Sequence, residues 1–381
     1  MAEFELSPFI SAGDGSESNP FVSDDGSAGI AGALRALSER GGVLRLPSGR
    51  YDINKPLVID TPSTCVDGGV WACNTDPNGV FESRFGTKIR LNGQGYPAMK
   101  IGENTDPISG TIIKNIGFQS DIVGMDTRAL IDFENPEKNA GLCLDSVRTD
   151  QCAFSKLSFC GFAAAVTASG NSEIDACIFE GINMDGCAVG VYFAPRASYY
   201  AHVRSCVIAD TPYYGVYATG KRGSMHNLEI RNTHFVRNGG GFTDTDGRIP
   251  AAILFDGASR CAVTECLFDD AGTFWYYENS ATKNEERKPS RRKTVGLYII
   301  GNSNRVRDCT FLNSSDDSIR IEGNGNVLMN IIADGNIRIS GKGNAVSGIV
   351  FTKPSSKLIL EGEAKESTEI IGVSPDRIVK S

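Results

Sequence analysis

Acidic side chains crowd one stretch of this 381-residue chain. Asp244 and Asp246 lie in Thr243-Asp-Thr-Asp-Gly-Arg248, and Asp256 follows. Then come Asp269 and Asp270, Glu278 behind the aromatic run Phe274-Trp275-Tyr276-Tyr277, and Asp316, Asp317 and Glu322. Two carboxyls on either side of a glycosidic bond can hydrolyse it, one protonating the leaving oxygen and the other acting as base or nucleophile. The same acids could hold calcium while Arg248, Arg320 or Arg338 removes a proton beside a uronate carboxylate. Asp and Asn also serve turns, where their side chains bond to nearby backbone, and this reading suits Asp316-Asp317. Histidine chemistry is disfavoured, because His202, His226 and His234 occupy unrelated phases of the repeat described next. No Gly-rich phosphate loop stands at a strand-to-helix junction.

What must position such acids is a repeat. Nine times the chain reads apolar, two mostly polar residues, a small or apolar residue, a free position and a large apolar residue. The copies are 113–118, 154–159, 174–179, 203–208, 230–235, 263–268, 306–311, 327–332 and 346–351, spaced 19 to 43 residues apart. A constant short strand signature at irregular spacing describes stacked coils, a parallel β-solenoid. A second signature precedes most copies and is usually closed by Gly: Gly190–Phe193, Gly215–Ala218, Ala252–Phe255, Gly296–Ile299, Ser318–Ile321 and Asn336–Ile339. Its side chains alternate with period two, as in a strand buried on one face. Each coil is therefore expected to hold a first strand, a turn, and two short strands joined by a bend inside the six-residue pattern.

Composition narrows the function. A net charge of −8 disfavours nucleic acid as a partner, since phosphate binding wants a basic face. The one dense basic run, Arg287 to Lys293, reads as a solvated polar loop beside Glu285 and Glu286. Of eleven cysteines, Cys177, Cys206, Cys266 and Cys309 fall on the fourth position of the repeat, where a thiol fills a small buried slot. Cys152 and Cys261 share another column, and Cys65 with Cys73 is the pair that could bridge. No CxxC spacing suggests zinc, so no metal site is expected. No run of eighteen apolar residues and no signal peptide are present, so a membrane is not an expected partner. The compartment stays open: cytoplasmic, or secreted with a signal removed. Oligomeric state is equally open.

At the N-terminus, Ala12-Gly-Asp14-Gly15 and Asp24-Asp25-Gly26 precede a helical run from Gly29 to Arg40, with Ile30, Leu34 and Leu37 on one face. Gly41-Gly42 ends it, and Val43-Leu-Arg-Leu-Pro47-Ser-Gly49-Arg-Tyr51 follows. The stretch resembles the opening of the pectate-lyase-like superfamily, with Gly26 where its members carry Thr after Asp-Asp. The resemblance implies an all-β, single-stranded right-handed parallel β-helix, here of about ten coils, with an N-terminal capping helix. The expected layout is a cap over 1–60, a β-helix over 61–373 and a tail over 374–381, one structural domain overall. It also implies action on polysaccharide. Ser314 to Arg320 resembles the Asp-Asp pair of polygalacturonase-type hydrolases, but their Gly-His-Gly and Arg-Ile-Lys are missing.

In such relatives substrate lies along the outward face of the first strands. In this register one outward column runs Cys143, Thr167, Tyr192, Tyr217, Leu254, Tyr298, Arg320, Arg338, and its neighbour includes Asp256 and Glu322. Tyrosine faces suit sugar rings and arginine suits hydroxyl pairs or carboxylates. Long segments at 119–141, 236–252 and 269–296 would wall the coils that begin at Ile253 and Leu297. The expectation is a glycoside hydrolase acting on an oligo- or polysaccharide without a cofactor. Asp256 with Asp244, Asp246 or Glu278 forms its acid and base, and Tyr192, Tyr217, Tyr298, Trp275, Arg320 and Glu322 hold the sugar. The alternatives are a polysaccharide lyase or epimerase, with calcium, and a non-catalytic glycan-binding or tailspike-like protein.

Overall fold

The computed structural model describes residues 3–38, 41–72, 86–103, 106–120, 132, 135, 137–168, 170–221, 223–240, 249–277, 287–291 and 294–381, with backbone alone for the strand pair Thr273–Tyr277 and Arg287–Arg291. The fold is an all-β parallel β-helix: apart from that pair, the paired strands run parallel, each to its equivalent one coil away. The chain divides into two compact units, Met1–Ala201 and His202–Ser381.

In the first unit, helix α1 (Ile30–Leu37) buries Ile30, Ala33, Leu34 and Leu37. Glycine at its N-cap takes φ 81°, a left-handed conformation that costs a side-chain-bearing residue about 1–2 kcal/mol. One ladder joins Leu57–Ile59, Met99–Ile101, Ala140–Leu144, Ala164–Ala168 and Val189–Phe193. Strand Gly42–Arg45 pairs with Thr64–Asp67, so sheet pairing begins inside the expected cap. In the second unit, Ile378–Lys380 pairs with Leu358–Leu360, and pairing continues into the expected tail.

Two copies of the repeat shift phase. Phe154 pairs with Phe179 and Phe159 with Met184, so the third copy is Phe179–Met184 and not 174–179, whose Ile174 pairs with Thr149. Leu328, not Val327, pairs with Val306 and Val346, and Ala333 pairs with Phe311 and Phe351. With both corrected, the bend falls on the third position every time. Asn115, Lys156, Gly181, Ser205, Asn232, Glu265, Asp308, Asn330 and Gly348 all take φ between 47° and 63°. Backbone bonds between neighbouring coils hold these residues there, as in Asn232 N–H to Thr264 O at 3.0 Å and Asp308 N–H to Met329 O at 3.0 Å.

The pattern's end position builds the core. Phe235, Phe268 and Phe311 stack at centroid separations of 4.9 and 4.3 Å, each pair adding about 0.5–1.5 kcal/mol beyond its buried area. Cys177 moves with the third copy out of the fourth-position column, while Cys206, Cys266 and Cys309 stay in theirs and are buried. Cys65 is a free thiol, and Cys73 lies outside the described residues. At another corner a buried ladder runs through Asn304, Asn326 and Asn344. Each lower side-chain amide and backbone N–H bonds the next residue's Oδ1 at 2.8–3.2 Å.

Candidate functional site

In the second unit the first strands are β1 (Tyr214–Thr219), β2 (Ala251–Asp256), β3 (Val295–Ile299), β4 (Asp317–Ile321), β5 (Asn336–Ile339) and β6 (Leu358–Leu360). Their pairing aligns Tyr217, Leu254, Tyr298, Arg320, Arg338 and Ile359 in one outward column. Two residues on, a second column holds Thr219, Asp256, Ile300, Glu322, Ser340 and Glu361, as the coil-to-coil bonds of these residues show. Glycine follows every member of the second column. At Gly323 the reason is contact: a Cβ there would lie 1.8 Å from Gly301 O. The chain turns sharply at that point and holds the acids at the rim of the sheet.

One diagonal motif recurs. A donor in the first column reaches the carboxylate one coil later and two places along. The Tyr217 hydroxyl donates to Asp256 Oδ2 at 3.0 Å, Tyr298 to Glu322 Oε1 at 2.8 Å, and Arg338 Nη1 to Glu361 Oε1 at 2.5 Å. The first unit repeats it with Lys100 and Asp145, at 2.8 Å. Where the donor is tyrosine, a cation joins it. Lys221 Nζ lies 3.3 Å from Asp256 Oδ2, and Arg320 contacts Glu322 Oε1 through Nη2 at 2.7 Å and Nε at 2.9 Å. The Arg320 guanidinium also sits 5.3 Å from the Tyr298 ring centre.

Burial grades along this face. Tyr217 is 3% exposed, Leu254 fully covered and Tyr298 8% exposed, whereas Arg320 and Arg338 are half-buried. The tyrosine rings, expected as an open stripe, are therefore covered, and their hydroxyls are committed to carboxylates. Burial, with the adjoining Glu322 carboxylate, pushes the Tyr298 hydroxyl well up, and the Asp256 charge adds to the shift, so Tyr298 is a neutral donor that feels both acids. The Asp256 side chain is only 5% exposed, although it ends a first strand on its outward face. A carboxylate under such cover needs compensating partners, and Tyr217 and Lys221 supply them.

Asp317 opens β4, where a register shift against β5 sets it opposite Asn336. Arg338 Nε bonds its Oδ2 at 3.0 Å, while its buried Oδ1 has no hydrogen-bond partner. Burial raises the Asp317 carboxyl, with Arg338 pulling against it.

The structure thus brings together Asp256, Tyr217, Tyr298, Arg320 and Glu322, and adds Lys221. Sequence reasoning missed Lys221; its signal was its place two residues past the second column, in Thr219-Gly220-Lys221. Tyr192 belongs to the first unit, paired with Thr167 and 2% exposed. Asp244, Asp246 and Glu278 lie outside the described residues, as does the Trp275 side chain. The Trp275 backbone pairs with Pro289 in the antiparallel pair Thr273–Tyr277 and Arg287–Arg291, so much of the basic run read as a loop is strand. His202 bonds Glu229 at 2.8 Å and His226 bonds Ser259 at 2.7 Å, each within its own local contact. Among the described residues no three acidic, histidine or cysteine side chains converge as a metal site.

No family model matches the sequence, and no curated protein is similar to it. Solved structures are. A DFA-IIIase from Arthrobacter chlorophenolicus A6, crystallised without its lid in complex with GF2, superposes with a TM-score of 0.68 at 13% identity, over 100% of this chain and 96% of that one. A mutant of the same DFA-IIIase in complex with DFA-III gives 0.66 at 13% identity over the same shares. The A-module of the Azotobacter vinelandii mannuronan C-5 epimerase AlgE6 gives 0.56 at 12% identity, over 99% and 98%. These likenesses fit a right-handed parallel β-helix, the fold the N-terminal motifs imply.

Proposed function

We propose that the protein is a carbohydrate-active enzyme, a glycoside hydrolase that cleaves an oligo- or polysaccharide at the outward face of β1 to β4. The observation that carries this reading is Asp256: a buried carboxylate on an outward strand position, shared by a tyrosine hydroxyl and a lysine. In this reading Lys221 and Tyr217 hold the Asp256 carboxylate in place, as a base or nucleophile requires. Cover over the site lowers the local dielectric and strengthens these interactions. The proton donor is a carboxyl from Asp244, Asp246 or Glu278. Glu322 stands two coils from Asp256, about 9–10 Å at a rise of about 4.8 Å per coil, at the far limit for a catalytic pair. It is assigned with Tyr298 and Arg320 to holding the sugar. The similarity in fold to a DFA-IIIase seen in complexes with GF2 and DFA-III supports a saccharide ligand.

The similarity to a mannuronan C-5 epimerase module favours a second reading, lyase or epimerase action on a uronate glycan. Asp256→Asn tests the first. Turnover of a glycan substrate should fall at least about 1000-fold, the scale on which a nucleophile or base acts, while binding persists. Unchanged turnover removes Asp256 from the mechanism, and a product absorbing in the unsaturated-uronate band selects lyase action, whereas inversion at C-5 with the glycan uncut selects epimerase action.

A further inference from the structure

Two tyrosines stand open on another face of the first unit. Among the described residues Tyr199 and Tyr200 are the aromatic side chains left exposed, at 51% and 49%, whereas Tyr192, Tyr217 and Tyr298 are covered. They follow strand Ala197–Ser198, which pairs with Glu173–Asp175, itself paired with Arg148–Asp150, in a sheet that holds none of the first strands. Thr149, Ile174 and Ser198 are buried along its inner side, so the residues flanking each of them face outward. The Tyr199 N–H donates to Ile174 O at 2.9 Å and carries the register one place further. One outward column therefore reads Asp150, Asp175, Tyr199, and the column beside it Arg148, Glu173, Ala197.

We propose that Tyr199 and Tyr200 form a glycan-binding platform of their own, apart from the strand face that carries Asp256; its ligand class rests on the carbohydrate reading above, its location does not. The Arg148 guanidinium sits 5.9 Å from the Tyr199 ring centre, and its Nη2 bonds Asp175 Oδ2 at 2.6 Å. Arg196 Nη2 bonds Glu173 Oε1 at 2.7 Å on the same face. A sugar presents an apolar C–H face that lies flat on an aromatic ring, and edge hydroxyls that accept from a guanidinium N–H and donate to a carboxylate. Ring, guanidinium and carboxylate stand together here within three neighbouring strands. A protein partner fits this surface less well, because interfaces keep charge at the rim and deplete it at the centre, whereas these ion pairs adjoin the rings themselves. A phosphate polymer would meet Asp150, Glu173 and Asp175 head on.

The test is affinity electrophoresis of the full chain carrying Asp256→Asn, so that the polymer stays intact, through gels containing inulin, dextran, polygalacturonate or alginate. At least one polymer should retard the protein. Adding Tyr199→Ala and Tyr200→Ala together should weaken that binding about tenfold, whereas Tyr199→Phe, which keeps the ring face and drops only the hydroxyl, should hold it within about twofold. With Asp256 restored, the paired alanine variant should melt with the wild type and cut a short oligosaccharide of the same glycan at the same rate. Undiminished retardation of the alanine variant, an equal loss with Tyr199→Phe, a matching loss of oligosaccharide turnover, or retardation by none of the four polymers overturns the inference. If the wild type is retarded through these tyrosines and releases no product from any polymer, the hydrolase reading fails while the platform stands.

Discussion

Replacing Tyr217 with phenylalanine tests how far the covered Asp256 side chain depends on its hydrogen bond. The hydroxyl donates to Asp256 Oδ2 at 3.0 Å, and that carboxylate is 5% exposed. Its ion-pair partner Lys221 is 56% exposed, so water weakens the lysine's contribution more than the tyrosine's. A hydrogen bond to a charged group contributes about 1.5–3 kcal/mol, and the burial of both partners places this one at about 2 kcal/mol. The second pair supplies an internal comparison. Tyr298 donates to Glu322 at 2.8 Å, but Glu322 is 33% exposed and keeps two contacts from Arg320, so its bond is set at about 0.5–1 kcal/mol. Double-mutant cycles read these couplings directly, pairing Tyr217→Phe with Asp256→Ala and Tyr298→Phe with Glu322→Ala in urea denaturation. Loss of Asp256 leaves Lys221 to hydrate, so no charge is stranded in the interior. The first coupling should be at least twice the second. A Tyr217–Asp256 coupling below about 0.5 kcal/mol, or the reverse order, refutes the argument that burial makes this carboxylate depend on its tyrosine.

Gly323→Ala forces a methyl against Gly301 O, 1.8 Å away, and should lower stability by about 1–3 kcal/mol, whereas Gly69→Ala meets nothing within 4 Å and should cost only its backbone strain; equal thermal shifts would refute the contact argument. Asn326→Ala removes the acceptor of the Asn304 backbone amide, strands it in a buried corner and leaves the Asn304 side-chain amide only its bond to Ala258 O, at a cost of about 1–3 kcal/mol in chemical denaturation; a loss under about 0.5 kcal/mol would mean that the ladder is not stabilising. Tyr51 and Tyr298 both have hydroxyls raised above the ordinary 10.0 by burial. A group whose value rises on folding stabilises the fold below its unfolded value and loses that contribution as pH climbs past it. The wild type should therefore lose stability above about pH 10 more steeply than Tyr51→Phe or Tyr298→Phe, by up to about 1.4 kcal/mol per pH unit for each tyrosine, and parallel curves would contradict the shift.

The fold was legible because a coil cannot bury its core unless apolar side chains recur at fixed phases, and seven copies of the pattern carry that phase without ambiguity. The two misphased copies fail for identifiable reasons. In the third, Cys177 and Phe179 stand two residues apart, the same interval as positions four and six, but they belong two places before the pattern and at its start, as Cys152 and Phe154 do one coil earlier. In the eighth, Val327 and Leu328 are both apolar, and Ala333 replaces the large residue that would have marked the end. The left-handed third position settles both cases, yet Lys156 and Glu265 hold it as well as Asn and Gly do, so residue type alone announces it weakly.

The site was legible only as far as register reaches. Period two and the closing glycine place Tyr217, Tyr298, Arg320, Asp256 and Glu322 in two adjacent columns, because both follow from strand geometry. Whether a column is open depends on what covers it, and coverage is set by chain segments distant in sequence. That is why tyrosines expected to face solvent emerged as buried donors. Lys221 escaped for the same reason, since its partner lies on the next coil and only the stacking of β1 on β2 brings the two together. The diagonal motif ties the levels together. With Lys100 or Arg338 as donor it is an ion pair of the kind that secures the rim of a sheet. With tyrosine as donor the acid has a neutral neighbour, and the structure then sets a lysine or an arginine beside it. A β-helix that needed only a stable rim could use the first form throughout; the change to tyrosine at Asp256 and Glu322 marks where this chain departs from its own structural rule.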